Sequence, residues 1–128
     1  MKTEYDYKFV KNKYLPIIDV LLKSEKNILL TEAYIDSGAT ISAFNYKVAK
    51  VLGIDYKKGK EVISKGITER TKAFKNKIKI IFQNNELELE TIFIESDEMQ
   101  FNLLGLKDFF DAFRITFDNK NKKVLLEN

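Results

Sequence analysis

The sequence of 128 residues contains no histidine and no cysteine, one proline and five glycines. The absence of histidine excludes Ser-His-Asp and Cys-His catalysis, and it also excludes imidazole ligands to a metal. The absence of cysteine excludes thiolate nucleophiles, disulfides, zinc–thiolate sites and iron–sulfur clusters. Any catalysis must therefore rest on carboxylates, Lys, Tyr, hydroxyl groups or backbone groups, and we expect no metal and no cofactor.

Long apolar runs are also missing. The longest, Ile17-Ile18 and Val20-Leu21-Leu22, are separated by Asp19 and are far too short to span a bilayer. Residues Met1 to Lys13 alternate charged and aromatic side chains without an apolar core, so we expect no signal peptide. The predicted location is the cytoplasm, which agrees with the lack of cysteine, and no membrane partner is expected.

The charge balance is mildly basic, with 22 basic and 19 acidic residues and a net charge of +3. A basic β-domain that binds nucleic acid is one interpretation. However, the lysines fall in predicted turns or alternate with apolar residues, as on solvated strands, and arginine occurs only at Arg70 and Arg114. We therefore expect no nucleic-acid partner. The lysine clusters are Lys8–Lys13, Lys57–Lys60, Lys72–Lys79 and Lys120–Lys123.

Short strands separated by turn residues dominate the pattern. Asn45 and Gly53 are suited to begin and end a brief helix over Tyr46–Leu52, and a second helix is predicted over Lys107–Phe113. The remaining segments alternate apolar and polar residues or are short apolar runs, both typical of strands. Predicted strands cover residues 17–22, 28–35, 41–44, 75–82, 86–94, 114–117 and 123–126.

This pattern predicts a mainly β fold, a closed barrel or sandwich with one or two short helices. Residues 1–128 are expected to form a single domain, in which residues 1–13 are an N-terminal extension or an edge strand. A parallel α/β sheet is disfavoured, because no strand is followed by a long crossover helix.

The most informative motif is Ile35-Asp36-Ser37-Gly38-Ala39-Thr40, in which an apolar run ends at a carboxylate. The Ser37 hydroxyl could hold a turn by a local hydrogen bond, and Gly38 would allow a positive φ or a close backbone approach. A carboxylate presented in this way can perform acid–base chemistry. Taken alone, however, the motif is more typical of an ordinary Asx turn.

A second motif is Leu103-Leu104-Gly105, followed directly by the predicted aromatic-rich helix. Alone it indicates a strand-to-helix junction. Together, the two motifs and the segment Glu61–Arg70 between them resemble the retropepsin-like aspartic protease family, over roughly residues 14–127. The closing segment through Asp118 is more similar to cellular and microbial members than to viral ones.

The resemblance implies an acid-protease-like protomer of a homodimer that cleaves an extended peptide or protein substrate. Asp36 would be the catalytic residue, and its copy in a second chain would supply the other half of a carboxylate pair. The two carboxylates would share one proton, one acting as general base on water and the other polarising the scissile carbonyl. The remaining implied site residues are Ser37, Gly38, Ala39 and Thr40 in the active-site turn and dimer brace, Ile63, Lys65, Gly66 and Ile67 in a flap over the substrate, and Leu103, Leu104 and Gly105 beneath the turn.

Two departures from the family pattern motivate an alternative. Many viral members have an acidic residue after the alanine and an arginine after the late glycine, whereas this chain has Thr40 and Leu106. The flap segment also has Ile67-Thr68-Glu69 after Gly66 and is poor in glycine. The alternative is therefore a dimerisation or peptide-binding module with little or no protease activity.

Overall fold

The structure, a computed structural model, describes residues 1–65, 70–83 and 85–128 and is mainly β. The predictions for Gly66 and Ile67 lie outside the described residues. In the described residues, one α-helix, α1 (Tyr46–Val51), one 3₁₀ turn (Tyr56–Lys58) and an irregular helical turn (Leu106–Phe110) accompany the strands. The strands are β1 (Lys2–Asp6), β2 (Lys8–Val10), β3 (Lys13–Leu15), β4 (Ile17–Lys23), β5 (Ile28–Ile35), β6 (Ser42–Asn45), β7 (Lys60–Lys65), β8 (Arg70–Phe82), β9 (Asn85–Ile94), β10 (Leu103–Leu104), β11 (Arg114–Asp118) and β12 (Lys123–Glu127).

The largest sheet has the strand order β4-β5-β10-β6-β9-β8-β7. Strand β4 also pairs with β8, with Leu21 opposite Ile81, so the sheet closes on itself. Closure covers part of the edge that β4 would present in an open sheet, whereas β7 remains at the end of the strand order. The predicted mainly β, closed architecture is confirmed. Two pairings are parallel, β5 with β10 and β6 with β9, and the sequence had given no sign of either.

The antiparallel pair β8–β9 shows why alternation predicts strands. Leu89 and Phe93 are fully buried on one face, whereas Glu86 and Glu88 point to solvent. On the outer face, lysines of β8 pair with glutamates of β9, with Lys77 Nζ 3.5 Å from Glu88 and Lys79 Nζ 3.3 Å from Glu86. Each such exposed pair contributes at most about 1 kcal/mol. The pairing nevertheless compensates part of the positive charge of the Lys72–Lys79 cluster.

Helix α1 begins and ends close to the predicted residues. The side chain of Asn45 accepts a hydrogen bond from the Lys47 amide at 2.9 Å, which satisfies one donor of the first turn. At the other end, Gly53 has φ of +71°, a conformation that costs glycine little.

A second sheet joins the two ends of the chain in the order β1-β12-β11. Strand β1 is at its edge, with Thr3 opposite Leu126. Hairpin β2–β3 follows, and the Lys8 ammonium binds both Asp19 on β4 and Glu32 on β5. Hydrogen bonds to these carboxylates keep the pKa of Lys8 above its ordinary value, although desolvation opposes the shift. The ion pairs fasten the hairpin to the barrel.

The predicted helix over Lys107–Phe113 is wrong in its first turn. The structure has an irregular helical turn over Leu106–Phe110, in which Lys107 is extended with ψ of 129° and Asp108 has φ of +67°. Two aromatic residues of this segment nevertheless join the core, because Phe109 and Phe113 pack against Phe82 with ring centroids 5.9 and 5.3 Å away. The break arises from a contact with β9 that no local pattern encodes.

The hydrophobic core fills the barrel and extends under the second sheet. One cluster of buried residues includes Phe82 and Phe109 together with Val124 and Leu126 of β12. The largest fully buried side chains are Phe44, Phe93, Phe109, Ile18, Leu22, Ile35, Leu52, Ile80, Leu89, Leu104, Leu126 and Val20. In the described part of the chain, no helix is long and apolar enough to cross a membrane.

Tyr56 gives a testable link between the core and pH. Its ring packs against Phe74 and Phe93, and its hydroxyl donates to Glu95 Oε2 at 2.7 Å. Burial and then the Glu95 carboxylate raise the pKa of Tyr56 from 10.0 to about 12. The stabilisation is thus fully present below pH 10 and lost as the pH rises towards about 12, because the unfolded chain ionises first.

We expect Tyr56→Phe to lower the free energy of unfolding at neutral pH by about 1–2 kcal/mol, through loss of a hydrogen bond to a charged acceptor. The variant should also lose less stability than the parent chain between pH 10 and about 12. Urea unfolding at a series of pH values measures both effects. An equal alkaline loss in the two proteins would contradict the role given to Tyr56.

Candidate active site

Strand β5 delivers Asp36 to the surface through its buried final residue. Ile35 is 1% exposed, and its amide donates to the Pro16 carbonyl at 3.0 Å. On the other side of β5, the amide of Asp36 donates to the Leu104 carbonyl at 2.9 Å. Asp36 is therefore held from both neighbouring segments at the point where the strand ends, and its side chain is half-buried.

Residues 36–40, here called the Asp36 turn, are shaped by the aspartate itself. Asp36 Oδ1 accepts the Gly38 amide at 2.8 Å, and the Asp36 carbonyl accepts the Ala39 amide at 3.2 Å. The carboxylate closes the turn, whereas we had expected this from the Ser37 hydroxyl. Gly38 does not use a positive φ, but a Cβ there would lie 3.1 Å from Asp36 Oδ1. The close approach, not backbone conformation, is what favours glycine.

The segment after β10 runs along the far side of the turn. The Leu106 amide donates to the Ala39 carbonyl at 2.8 Å, and the Lys107 amide donates to the Thr40 carbonyl at 3.0 Å. Thr40 and Leu106, one in each of these hydrogen bonds, are the two positions at which the sequence departs from the acid–arginine pattern. In this chain the turn and the later segment are joined there by main-chain hydrogen bonds.

A buried polar cluster lies beneath the turn. The Gly105 amide donates to Ser42 Oγ at 2.9 Å, and Thr91 Oγ1 donates to the Ser42 carbonyl at 2.8 Å. Ser42 and Thr91 are both fully buried, and so is Leu104. The structure thus brings Leu103, Leu104 and Gly105 next to the turn. Sequence reasoning missed Ser42 and Thr91, although Thr91 occupies an inward position in the alternation of β9.

The Asp36 turn opens on one side into a shallow depression of about 420 Å³. Tyr7 and Tyr14 come from the N-terminal segment, Tyr34 from β5 and Phe117 from β11. Burial, followed by the negative charge of Asp118, raises the pKa of Tyr7, so this phenol stays neutral beside the turn. Sequence analysis missed these aromatic residues because they are far apart along the chain. The full lining is Tyr7, Tyr14, Leu15, Pro16, Tyr34, Ile35, Asp36, Ser37, Phe117 and Asn119.

Two residues of the predicted flap lie in β7. Ile63 pairs with Lys72 of β8 and is 49% exposed, so its apolar side chain is available to a ligand. Lys65 pairs with Arg70 at the end of β7. The described residues contain no group of three or more acidic side chains placed to hold a metal ion.

The architecture around Asp36 is that of a known class. A closed β-barrel, with a two-residue strand inserted beside the strand that carries an aspartate turn, makes the fold retropepsin-like. No protein-family model and no curated protein matches the sequence.

Several solved structures are similar to this fold, including two proteases. A retropepsin-like aspartic protease from Rickettsia conorii superposes with a TM-score of 0.74 at 18% identity, covering 98% of this chain and 91% of that one. The EIAV protease, complexed with the inhibitor HBY-793, superposes with a TM-score of 0.52 at 14% identity, covering 80% of this chain and 91% of that one. The likeness extends over nearly the whole chain in the first case, and it is a likeness of fold.

Proposed function

We propose that this chain is an aspartic endopeptidase that acts as a homodimer on extended peptide segments, in the cytoplasm. The observation that carries the proposal is the Asp36 turn, an aspartate fixed by main-chain hydrogen bonds at the end of β5 within a retropepsin-like fold. The turn is half-exposed and opens into an apolar-walled depression, so a second chain or a substrate can reach it.

The proposed chemistry needs two such aspartates. A two-fold symmetric interface places a residue against its own copy, so Asp36 of one protomer would face Asp36 of its partner. Two carboxylates at hydrogen-bond distance cannot both ionise without strong repulsion, and they hold one proton between them. The ionised carboxylate removes a proton from water, while the protonated one donates a hydrogen bond to the scissile carbonyl.

The turn residues then have distinct roles in the proposal. Ser37, which is exposed, would brace the turn of the partner, and Gly38 would leave room for substrate backbone. Ala39 and Thr40 offer carbonyls that are already used internally, which keeps the turn rigid. An extended substrate would pair with main-chain groups, and apolar residues such as Ile63 would select side chains.

Dimerisation and cleavage can be tested together. We expect the rate of cleavage of a peptide library, followed by mass spectrometry, to rise with nearly the square of protein concentration while monomers predominate. Sedimentation velocity over the same concentrations would define that range. A rate that stays proportional to concentration while the protein is monomeric would contradict the paired mechanism.

The second candidate is a peptide-binding module without cleavage. The observation in its favour is apolar surface around the turn, from Tyr14 and Phe117, which are each 40% or more exposed. Such surface would hold an extended peptide whether or not a carboxylate pair forms. Saturable binding of library peptides that are recovered intact, from a protein shown to be dimeric, would favour this candidate.

A further inference from the structure

The position of the Asp36 turn depends on residues that lie far from it in sequence. Carbonyls of Ala39 and Thr40 accept the amides of Leu106 and Lys107, as described above. Both carbonyls belong to the turn itself. A displacement of residues 106 and 107 would therefore displace the backbone that presents Asp36.

The backbone that carries the Leu106 and Lys107 amides departs from regular helical geometry. Lys107 is extended and Asp108 has φ of +67° and ψ of −45°. This conformation is sparsely populated for a residue other than glycine, and holding it has a cost in free energy. The cost is local, so a specific interaction must hold Asp108 in place.

That interaction is a hydrogen bond to β9. Asp108 Oδ2 accepts the Glu90 amide at 2.7 Å, and the Asp108 amide donates to Asp111 Oδ2 at 3.3 Å. Glu90 of β9 lies opposite Lys77 of β8, in the middle of the long β8–β9 ladder. The side chain of Asp108 therefore anchors the irregular turn to one of the most extensively paired parts of the barrel.

The side chain of Glu90 also contacts this segment. Its carboxylate forms an ion pair with Lys107 and lies 3.6 Å from Lys75 Nζ. The carboxylate is 19% exposed, and the hydrogen bond from Lys107 lowers the pKa of Glu90. Residues 107 and 108 are thus fixed to the same point of β9 by two interactions that run in opposite directions.

We propose that Asp108, together with Glu90 and Lys107, positions the Asp36 turn for catalysis. Asp108 acts through the amides of residues 106 and 107, and it touches neither substrate nor the reacting water. This inference rests on the proposed protease function. Thr40 and Leu106 cannot form the acid–arginine pair that braces the turn in many viral members. In this chain, we assign the bracing to the Asp108 carboxylate, which anchors the backbone of residues 106 and 107.

Two substitutions separate the hydrogen bond from the backbone conformation. Asp108→Gly removes the acceptor and also relieves the cost of a positive φ, so the protein should still fold. Asp108→Asn keeps an oxygen acceptor of the same reach. We expect Asp108→Gly to lower kcat about 10-fold or more with little change in KM, because a small misplacement of catalytic groups is costly. Asp108→Asn should stay within about 3-fold of the parent chain.

A readout independent of cleavage follows the same hydrogen bonds. We expect hydrogen exchange of the Leu106 and Lys107 amides to become about 10-fold faster in Asp108→Gly, and to be unchanged in Asp108→Asn. The matched control is Gln83→Gly, which removes another positive φ, of 53°. Gln83 lies in the turn after β8, six residues beyond Lys77, the partner of Glu90. At about 3.3 Å per residue it is distant from Glu90, and its substitution should affect neither exchange nor kcat.

Hydrogen exchange and kcat, measured together on the three variants, decide whether the inference holds. Faster exchange with a lower kcat in Asp108→Gly, both absent in the other two variants, supports it. Unchanged exchange overturns it, and so does faster exchange without a change in kcat, or the same change in Gln83→Gly. If the parent chain cleaves no peptide, the proposed protease function fails, and exchange alone then shows whether Asp108 positions the turn.

Discussion

Asp36→Asn is expected to reduce the rate of peptide cleavage by about 10⁴-fold while leaving the protein folded. The substitution removes the general base and the proton shared by the pair, and in a homodimer it does so in both protomers at once. Asparagine keeps an oxygen that can accept the Gly38 amide, which now bonds Asp36 Oδ1 at 2.8 Å. The turn should therefore keep its shape when its charge is lost.

The measurement is the initial rate of cleavage of one library-derived peptide, with urea unfolding and sedimentation on the same preparations. Asp55→Asn is the matched control, since Asp55 is 67% exposed on the surface and its nearest cation, Lys58, is 3.9 Å away. The control should cleave at the parent rate. Cleavage by Asp36→Asn at a comparable rate would exclude Asp36 as the catalytic residue.

Gly105→Ala is expected to lower the free energy of unfolding by about 3 kcal/mol or more. A Cβ at this position would lie 2.6 Å from the Ala39 carbonyl oxygen and 2.8 Å from backbone atoms of Ile41. Backbone atoms that are hydrogen-bonded on both sides cannot move aside cheaply. Gly105 has φ of −109°, so the requirement for glycine comes from space and not from backbone conformation.

The same clash pushes on the Asp36 turn, so cleavage should fall together with stability. Gly53→Ala is the comparison, because Gly53 needs glycine for its φ of +71° and meets only flexible side chains. That substitution should cost about 1–2 kcal/mol. Urea unfolding measures both variants, and a midpoint for Gly105→Ala equal to that of the parent chain would show that the close approach does not exist in solution.

Local patterns in the sequence were sufficient to predict most of the barrel. Alternation in β8 and β9 gives one buried and one solvated face, and both strands include the predicted residues. However, β8 begins at Arg70, five residues before the predicted start at Lys75. The Asn45 cap and Gly53 define helix α1 through hydrogen bonds within a few residues. In these segments, short-range chemistry and the final fold agree.

Long-range pairing was not predictable in the same way. Strand β10 has only two residues, and its identity as a strand comes from lying between Tyr34 of β5 and Ala43 of β6. The helix expected at Lys107 failed because the Glu90 amide captures the Asp108 side chain. In both cases the deciding partner is distant in sequence, and no periodicity reports it.

Some residues of the candidate site could be predicted from local motifs, and others could not. Asp36 and Gly105 could be identified from the sequence because each belongs to a short motif with a distinctive order of residues. Tyr7, Tyr14 and Phe117 could not, since only the second sheet and the β2–β3 hairpin bring them to one depression. Short motifs thus identify the candidate reactive residues, whereas the residues that line the depression depend on the topology of the fold.

The insertion of β10 between β5 and β6 has a consequence for synthesis of the chain. The Asp36 turn obtains its hydrogen bonds from Leu104, Leu106 and Lys107, so it cannot take its final shape on a nascent chain that ends before them. At about 5–20 residues per second, several seconds separate the synthesis of β5 from that of β10. An incomplete chain on the ribosome thus carries Asp36 without a formed Asp36 turn. Under the proposed function, such a chain could not cleave neighbouring polypeptides before the barrel has closed.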